Sequence, residues 1–267
     1  MTTATTPAAD TAARTTALGR LTALGRAELT LLSRNRTAIF VALFVPVTMI
    51  LAMRSAFENI DLDGTGLSMA GAALMGGVGM VLIQAVYMNM VAAYVARREE
   101  LVMKRLRTGE VRDGEILAGT ALPSAALALA QSAVIVAAGT FFFDLGAPDR
   151  PELLLGGVLL GLVLLTALAG VTSVVTRTVQ TAQLTTLPLF LISMMGSGVF
   201  VPLDVFPDRL AAFCEFLPVT GVMTLIRAGW FGVPEGTDLL GAALTGLAWT
   251  ALAVFAVQRW FRWDPRR

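Results

Sequence analysis

Histidine is absent from this chain of 267 residues, and cysteine and lysine occur once each, as Cys214 and Lys104. Without histidine and with one thiol, the common zinc and haem ligand sets, the Ser-His and Cys-His nucleophile pairs and an internal disulfide are all excluded. The only lysine follows Met103, so the G-x-x-x-x-G-K phosphate loop is missing and the chain does not bind ATP in that way. Charged residues make up only 15%, and no acidic residue is placed near the middle of an apolar run. Glu115 and Glu152 fall at run ends and Asp238 opens the last one. A proton- or sodium-driven carrier normally needs an acidic group at mid-depth, so the energy for any transport comes from elsewhere. The net charge of +1 points to no nucleic acid partner.

What the chain has is apolar length. Hydrophobic residues make up 56% and the mean hydropathy is +0.74, well above a soluble domain. Several runs exceed 18 apolar residues, so the expected class is an all-α polytopic membrane protein. Residues 1–16 are Thr/Ala-rich and lack the apolar h-region of a cleaved signal peptide; they read as a disordered tail. Over 17–36, Leu18, Leu21, Leu24, Leu29, Leu31 and Leu32 fall on one helical arc and Arg20, Arg26, Thr30, Ser33 and Arg34 on the other. That pattern predicts an interfacial amphipathic helix. Glu28 falls on the apolar arc, either at a solvated helix end or in an ion pair with a neighbouring segment.

Six spans are predicted within 37–260, at about 37–53 (kinked at Pro46), 68–96, 115–143, 152–176, 182–200 and 238–258. Residues 261–267 form a basic tail. The second span opens with small residues (Ala70, Gly71, Ala72, Gly76, Gly77 and Gly79), whose small-xxx-small pairs Ala72/Gly76 and Ala73/Gly77 permit close helix contact, and it carries Gln84 and Asn89 deeper. Each of those two side chains must bond another helix or face a wet path. Gly157 and Gly161 form a G-x-x-x-G pair suited equally to packing inside one chain or to dimerisation. Sixteen of the twenty Lys and Arg residues fall on the side of the N-terminus, leaving Arg54, Arg150, Arg209 and Arg227 opposite. The positive-inside rule then places both termini in the cytoplasm.

Two stretches stand apart from the spans. The first, 97–114, is the most charged. Glu99 and Glu100 precede Lys104, close to the Glu-Glu-x-x-x-Arg pattern of prenyl-protein-type intramembrane proteases, but Lys replaces Arg and the required histidines are missing. Leu101, Val102, Leu106 and Val111 interleave with the charges. The stretch is read as a short helix docking on a soluble partner, against the plainer reading of a solvated loop that only fixes topology. The second stretch, Gly196 to Gly232, is broken by Pro202, Pro207 and Pro218 and is too apolar for an ordinary loop. A kinked, half-buried helical hairpin at the outer membrane face is expected, since irregular backbone at membrane depth needs protein or a wet cavity around it.

Taken in order, these features resemble the type-2 ATP-binding-cassette exporter permeases, the membrane subunits of two-gene drug-resistance exporters of the daunorubicin type. The resemblance rests on the interfacial helix, the six spans, the Arg98-Glu99-Glu100 to Lys104-Arg105-Leu106-Arg107 loop and the closing segment. That segment runs Gly196-Ser197-Gly198, then Pro202-Leu203-Asp204-Val205-Phe206-Pro207, then Leu217-Pro218, then a helix ending near Gly229. The resemblance implies a dimer of permeases, with identical chains expected, and separate ATPase subunits that carry ATP and magnesium, so this chain is not an enzyme and has no cofactor of its own. It implies that Glu99, Glu100, Lys104, Arg105, Leu106 and Arg107 couple to the ATPase. It implies an exit cap between spans five and six formed by Pro202, Leu203, Asp204, Phe206, Pro207, Leu217 and Pro218, a re-entrant lid rather than the cargo site. It places Gln84, Asn89, Met194, Met195 and Phe200 along the path. The implied function is export of an amphiphilic drug, antibiotic or lipid across a bacterial plasma membrane. A membrane scaffold or immunity protein, or a polysaccharide or glycolipid exporter of the same superfamily, are the alternatives; the scarcity of tyrosine (Tyr87 and Tyr94) favours an apolar cargo over sugars.

Overall fold

The structure, a computed structural model, describes residues 16–34, 36, 39–40, 44, 48, 69–107, 112–143, 145–199, 203, 206–233 and 237–263. The predicted first span at 37–53 with Pro46, the tail at 1–15, and Phe200, Pro202 and Asp204 lie outside these residues almost entirely or altogether. The described residues form helices and contain no strand. In chain order they are α1 (Ala17–Arg34), α2 (Met69–Val81), a π-helical stretch (Leu82–Met88), α3 (Asn89–Glu99), α4 (Val102–Arg107), α5 (Asp113–Phe142), α6 (Pro151–Val175), α7 (Val179–Gly196), α8 (Asp208–Glu215), α9 (Thr220–Phe231) and α10 (Leu239–Trp260).

Four helical rods are long and apolar enough to cross a bilayer: Leu74–Glu99, Asp113–Phe141, Pro151–Val175 and Leu239–Trp260. They coincide with the predicted second, third, fourth and sixth spans. The predicted fifth span falls on α7, which is less apolar because Gln180, Thr181, Gln183, Thr185 and Thr186 fill its first turns. α8 and α9 form a bent pair, 98° apart, that passes the same test only when the two are taken together.

The helix ends follow from local chemistry. The Glu115 carboxylate accepts from the Arg112 backbone N–H at 3.1 Å in the first turn of α5. Asp238 caps α10 by accepting from Gly241 N–H at 2.8 Å, and Thr178 caps α7 by accepting from Thr181 N–H at 3.3 Å. Pro151 occupies the first position of α6, where its missing N–H costs nothing. The carboxylates at the starts of α5 and α10 are therefore helix caps.

The rod Leu74–Glu99 is the buried centre, with 67% of its apolar window covered, whereas the Leu239–Trp260 rod lies outermost at 17%. α6 packs against α9, α10 and the π-helical stretch, and α7 packs beside α3. Glycines set the closest approaches. A Cβ at Gly221 would lie 2.2 Å from the Ala242 carbonyl oxygen, and one at Gly229 would lie 2.3 Å from the Leu154 nitrogen. The G-x-x-x-G pair is spent inside the chain: a Cβ at Gly157 would meet Ile226, and one at Gly161 would meet Leu82 and Val222. α9 is buried along nearly its whole length, and Trp230, 2% exposed, sits at its core. Trp230 packs inside because Gly139 leaves room for its ring.

Candidate functional site

Because the long helices alternate in direction, two ends of the molecule gather different chemistry. At one end are the α3–α4 junction, the start of α5, the α6–α7 turn, and Phe261 and Trp263 after α10. Tyr94 there meets the Phe261 ring edge-on at 5.9 Å between centroids, and Phe261 meets Trp263 at 5.0 Å. Tyr94 Oη donates to the Leu117 carbonyl at 3.2 Å and Arg97 Nη1 to Thr120 Oγ1 at 3.3 Å, which ties α3 to α5.

α4 leaves this end as the short helix read from the interleaved charges. Leu101 makes the turn with φ of 59°, the left-handed conformation that a leucine adopts rarely. Met103 is fully buried and anchors α4, while Val102 and Leu106 are half-buried. Glu99, Glu100 and Arg105 are exposed beside it. Lys104 and Arg107 belong to the same helix. Met103 thus fixes α4 from below, while Arg105 on it and Glu99 and Glu100 before it face outward.

One charge at this end, read in the sequence as part of the charged loop and of the topology signal, is buried. Arg98 is 1% exposed. Its Nη1 donates to the Ser173 carbonyl at 2.9 Å and its Nη2 to the Thr176 carbonyl at 2.6 Å, in the last turn of α6. Thr176 Oγ1 in turn lies 2.7 Å from Thr185 Oγ1 of α7.

At the opposite end stand the bent pair and the residues before it. Trp249 Nε1 donates to the Phe216 carbonyl at 2.8 Å. Trp249 lies ten residues inside α10, about 15 Å from its start at the usual helical rise. The α8–α9 corner is therefore two to three turns below the helix ends, and α9 climbs back until the Arg150 N–H meets the Gly229 carbonyl at 2.9 Å. Thr220 Oγ1 closes the corner on the Cys214 carbonyl at 2.6 Å. Arg227 donates to the Gly198 carbonyl across the stretch that follows α7. Of the expected cap residues, Leu203, Phe206 and Leu217 are half-buried, Pro207 is exposed and Pro218 is buried. Leu210, Phe213 and Phe216 of this apolar stretch are exposed in the chain, Phe213 at 66%. A bilayer supplies such cover where protein does not.

Between the two ends, Gln84 and Asn89 are exposed on an otherwise buried rod. Asn89 Nδ2 reaches only its own helix, at the Ala85 carbonyl, 3.4 Å away. Gln84 sits in the π-helical stretch, a geometry often found at functional positions; no proline marks it, so the sequence carried no signal for it. Beside this face α7 exposes Leu184, Leu191 and Met195, the last at 70%, whereas Met194 is buried. A separate apolar cavity of about 710 Å³ opens between α5, α6 and α10, lined among others by Leu117, Ala121, Leu159, Val163 and Val254. None of the expected path residues lines it. Among the described residues no group of His, Cys, Asp or Glu could hold a metal ion.

A helical bundle with several membrane-length apolar rods, a short charged helix at one end and a bent helix pair at the other is the architecture of a multi-pass membrane subunit. Residues 20–231 match the ABC-2 type transporter family, and the chain belongs to it. It is a transmembrane permease subunit of an ABC exporter, a transport component without a cofactor of its own, from a family that generally pairs with an ATPase subunit. No curated protein matches the chain.

Proposed function

We propose that this permease exports an amphiphilic drug, antibiotic or lipid from the cytoplasmic side of a bacterial plasma membrane, in the manner of the daunorubicin-resistance exporters. It works as a homodimer with six spans per chain and both termini in the cytoplasm, and α1 lies in the headgroup layer as an interfacial helix. ATP and magnesium act on a separate ATPase subunit that docks on α4. The observation that carries this reading is α4 itself, a six-residue helix anchored by Met103 at the end of the most buried rod, with Glu99, Glu100 and Arg105 exposed beside it. Lys104, Leu106 and Arg107 complete the docking element. α8 and α9 form the re-entrant exit cap, a role supported by a corner that sits well below the ends of α6 and α10. Gln84, Asn89, Met194, Met195 and Phe200 line the path, which an apolar cargo enters without tight binding.

Co-expression with the ATPase subunit and reconstitution in vesicles tests this reading, with ATP-driven uptake scored over a panel of cationic and neutral amphiphiles. Uptake of at least one amphiphile that requires both subunits is expected. Charge reversal at Glu99 and Glu100 should abolish uptake by tenfold or more while the permease still folds. Unchanged uptake and unchanged stimulation of the ATPase in that variant would remove the coupling role.

A further inference from the structure

Positive charge near the cytoplasm needs only to stay in water to set topology, so the burial of Arg98 requires another explanation. A buried cation is tolerated only when paired and hydrogen-bonded. Here the partners are the Ser173 and Thr176 carbonyls, the end of α6 where unfilled acceptors and the negative end of the helix dipole coincide. The planar guanidinium meets two acceptors three residues apart at once, which an ammonium does not reproduce. Arg98 lies on the last turn of α3, four positions before α4 begins. Thr176 passes the link on to α7 through Thr185. Leu101, held left-handed between the two helices, leaves α4 one preferred direction.

We propose that Arg98 is a positioning residue that locks α4 to the α6–α7 turn, so that a push on α4 moves α6 and α7 with it as one body. The consequence for transport rests on the docking role assigned to α4, but the joint is a property of this chain alone. It links the element an ATPase would touch to the helix that exposes Leu184, Leu191 and Met195 beside Gln84 and Asn89.

Pulsed electron-electron distance measurements on the full chain in lipid nanodiscs test it. In a Cys214→Ala background, spin labels go on the exposed positions Arg105→Cys of α4 and Gln180→Cys of α7. A reference pair goes on Leu155→Cys of α6 and Leu240→Cys of α10. The native Arg98 should give a narrow α4–α7 distribution. Arg98→Met should broaden it at least twofold and leave the reference pair unchanged, and Arg98→Lys should fall between the two. An α4–α7 width unchanged in Arg98→Met would overturn the joint. Equal broadening of both pairs would overturn it as well, since Arg98 would then support the whole bundle. The docking role is read separately: if charge reversal at Glu99 and Glu100 leaves the ATPase bound and coupled, that role fails whatever the label widths show.

Discussion

At the scale of single residues, glycine decides how closely α9 can approach its neighbours. A methyl group at Gly229 would collide with the backbone of Leu154, whereas one at Gly156 meets nothing within 4 Å. Backbone cannot step aside as a flexible side-chain end can. Gly229→Ala should therefore lower stability by about 1–3 kcal/mol, the usual cost of overpacking. Gly156→Ala should be neutral or raise stability by up to about 1 kcal/mol, because alanine is the better helix former. Thermal unfolding of the two variants in detergent separates them; equal shifts would mean that the α6–α9 approach leaves room for a methyl group. The spacing of Gly157 and Gly161 was legible in the sequence, but which helix they receive was not. A G-x-x-x-G pattern specifies a groove and not its occupant, and Ile226 and Val222 lie more than sixty positions away. The burial of Arg98 was not legible for a related reason: the two carbonyls it meets carry no side-chain signature.

At the scale of elements, length and apolarity made the second, third, fourth and sixth spans legible, because a bilayer demands long uninterrupted helices. α7 was harder, since its glutamines and threonines dilute the apolar signal, and the π-helical stretch was invisible. The three prolines predicted breaks between α7 and α10 but not the 98° turn, which long-range contacts fix. Chief among these is the bond from Trp249 Nε1 to the Phe216 carbonyl. Trp249→Phe keeps an aromatic ring and removes that donor, which should cost about 0.5–1.5 kcal/mol. The corner it releases also holds Cys214, the only thiol, now 4% exposed. Labelling of Cys214 by a small maleimide should accelerate severalfold in the variant. The same labelling rate in both proteins would show that the corner is held by packing alone.

At the scale of the whole molecule, the surface of one chain is incomplete as a membrane surface. Leu155, Leu244 and Leu252 are exposed and suit lipid, whereas Gln84 and Asn89 are exposed amides at membrane depth. An amide turned toward hydrocarbon is costly unless its polar atoms are satisfied; Asn89 reaches the Ala85 carbonyl at 3.4 Å with one end only, so water or a second chain would complete the polar cover of this face. α7 stands beside it with Met195 70% exposed, and in the proposed homodimer Met195 would be the point of approach between the two copies. In a Cys214→Ala background, Met195→Cys should cross-link copy to copy with a short thiol-reactive reagent in native membranes. Leu244→Cys, also exposed in the single chain (55% against 70% for Met195) but on the outermost helix, should remain monomeric. Cross-linking at Leu244 and not at Met195 would place the dimer axis on the wrong side of the bundle. The two amides would then need another source of polar cover, and the path assigned along α3 and α7 would have to be abandoned.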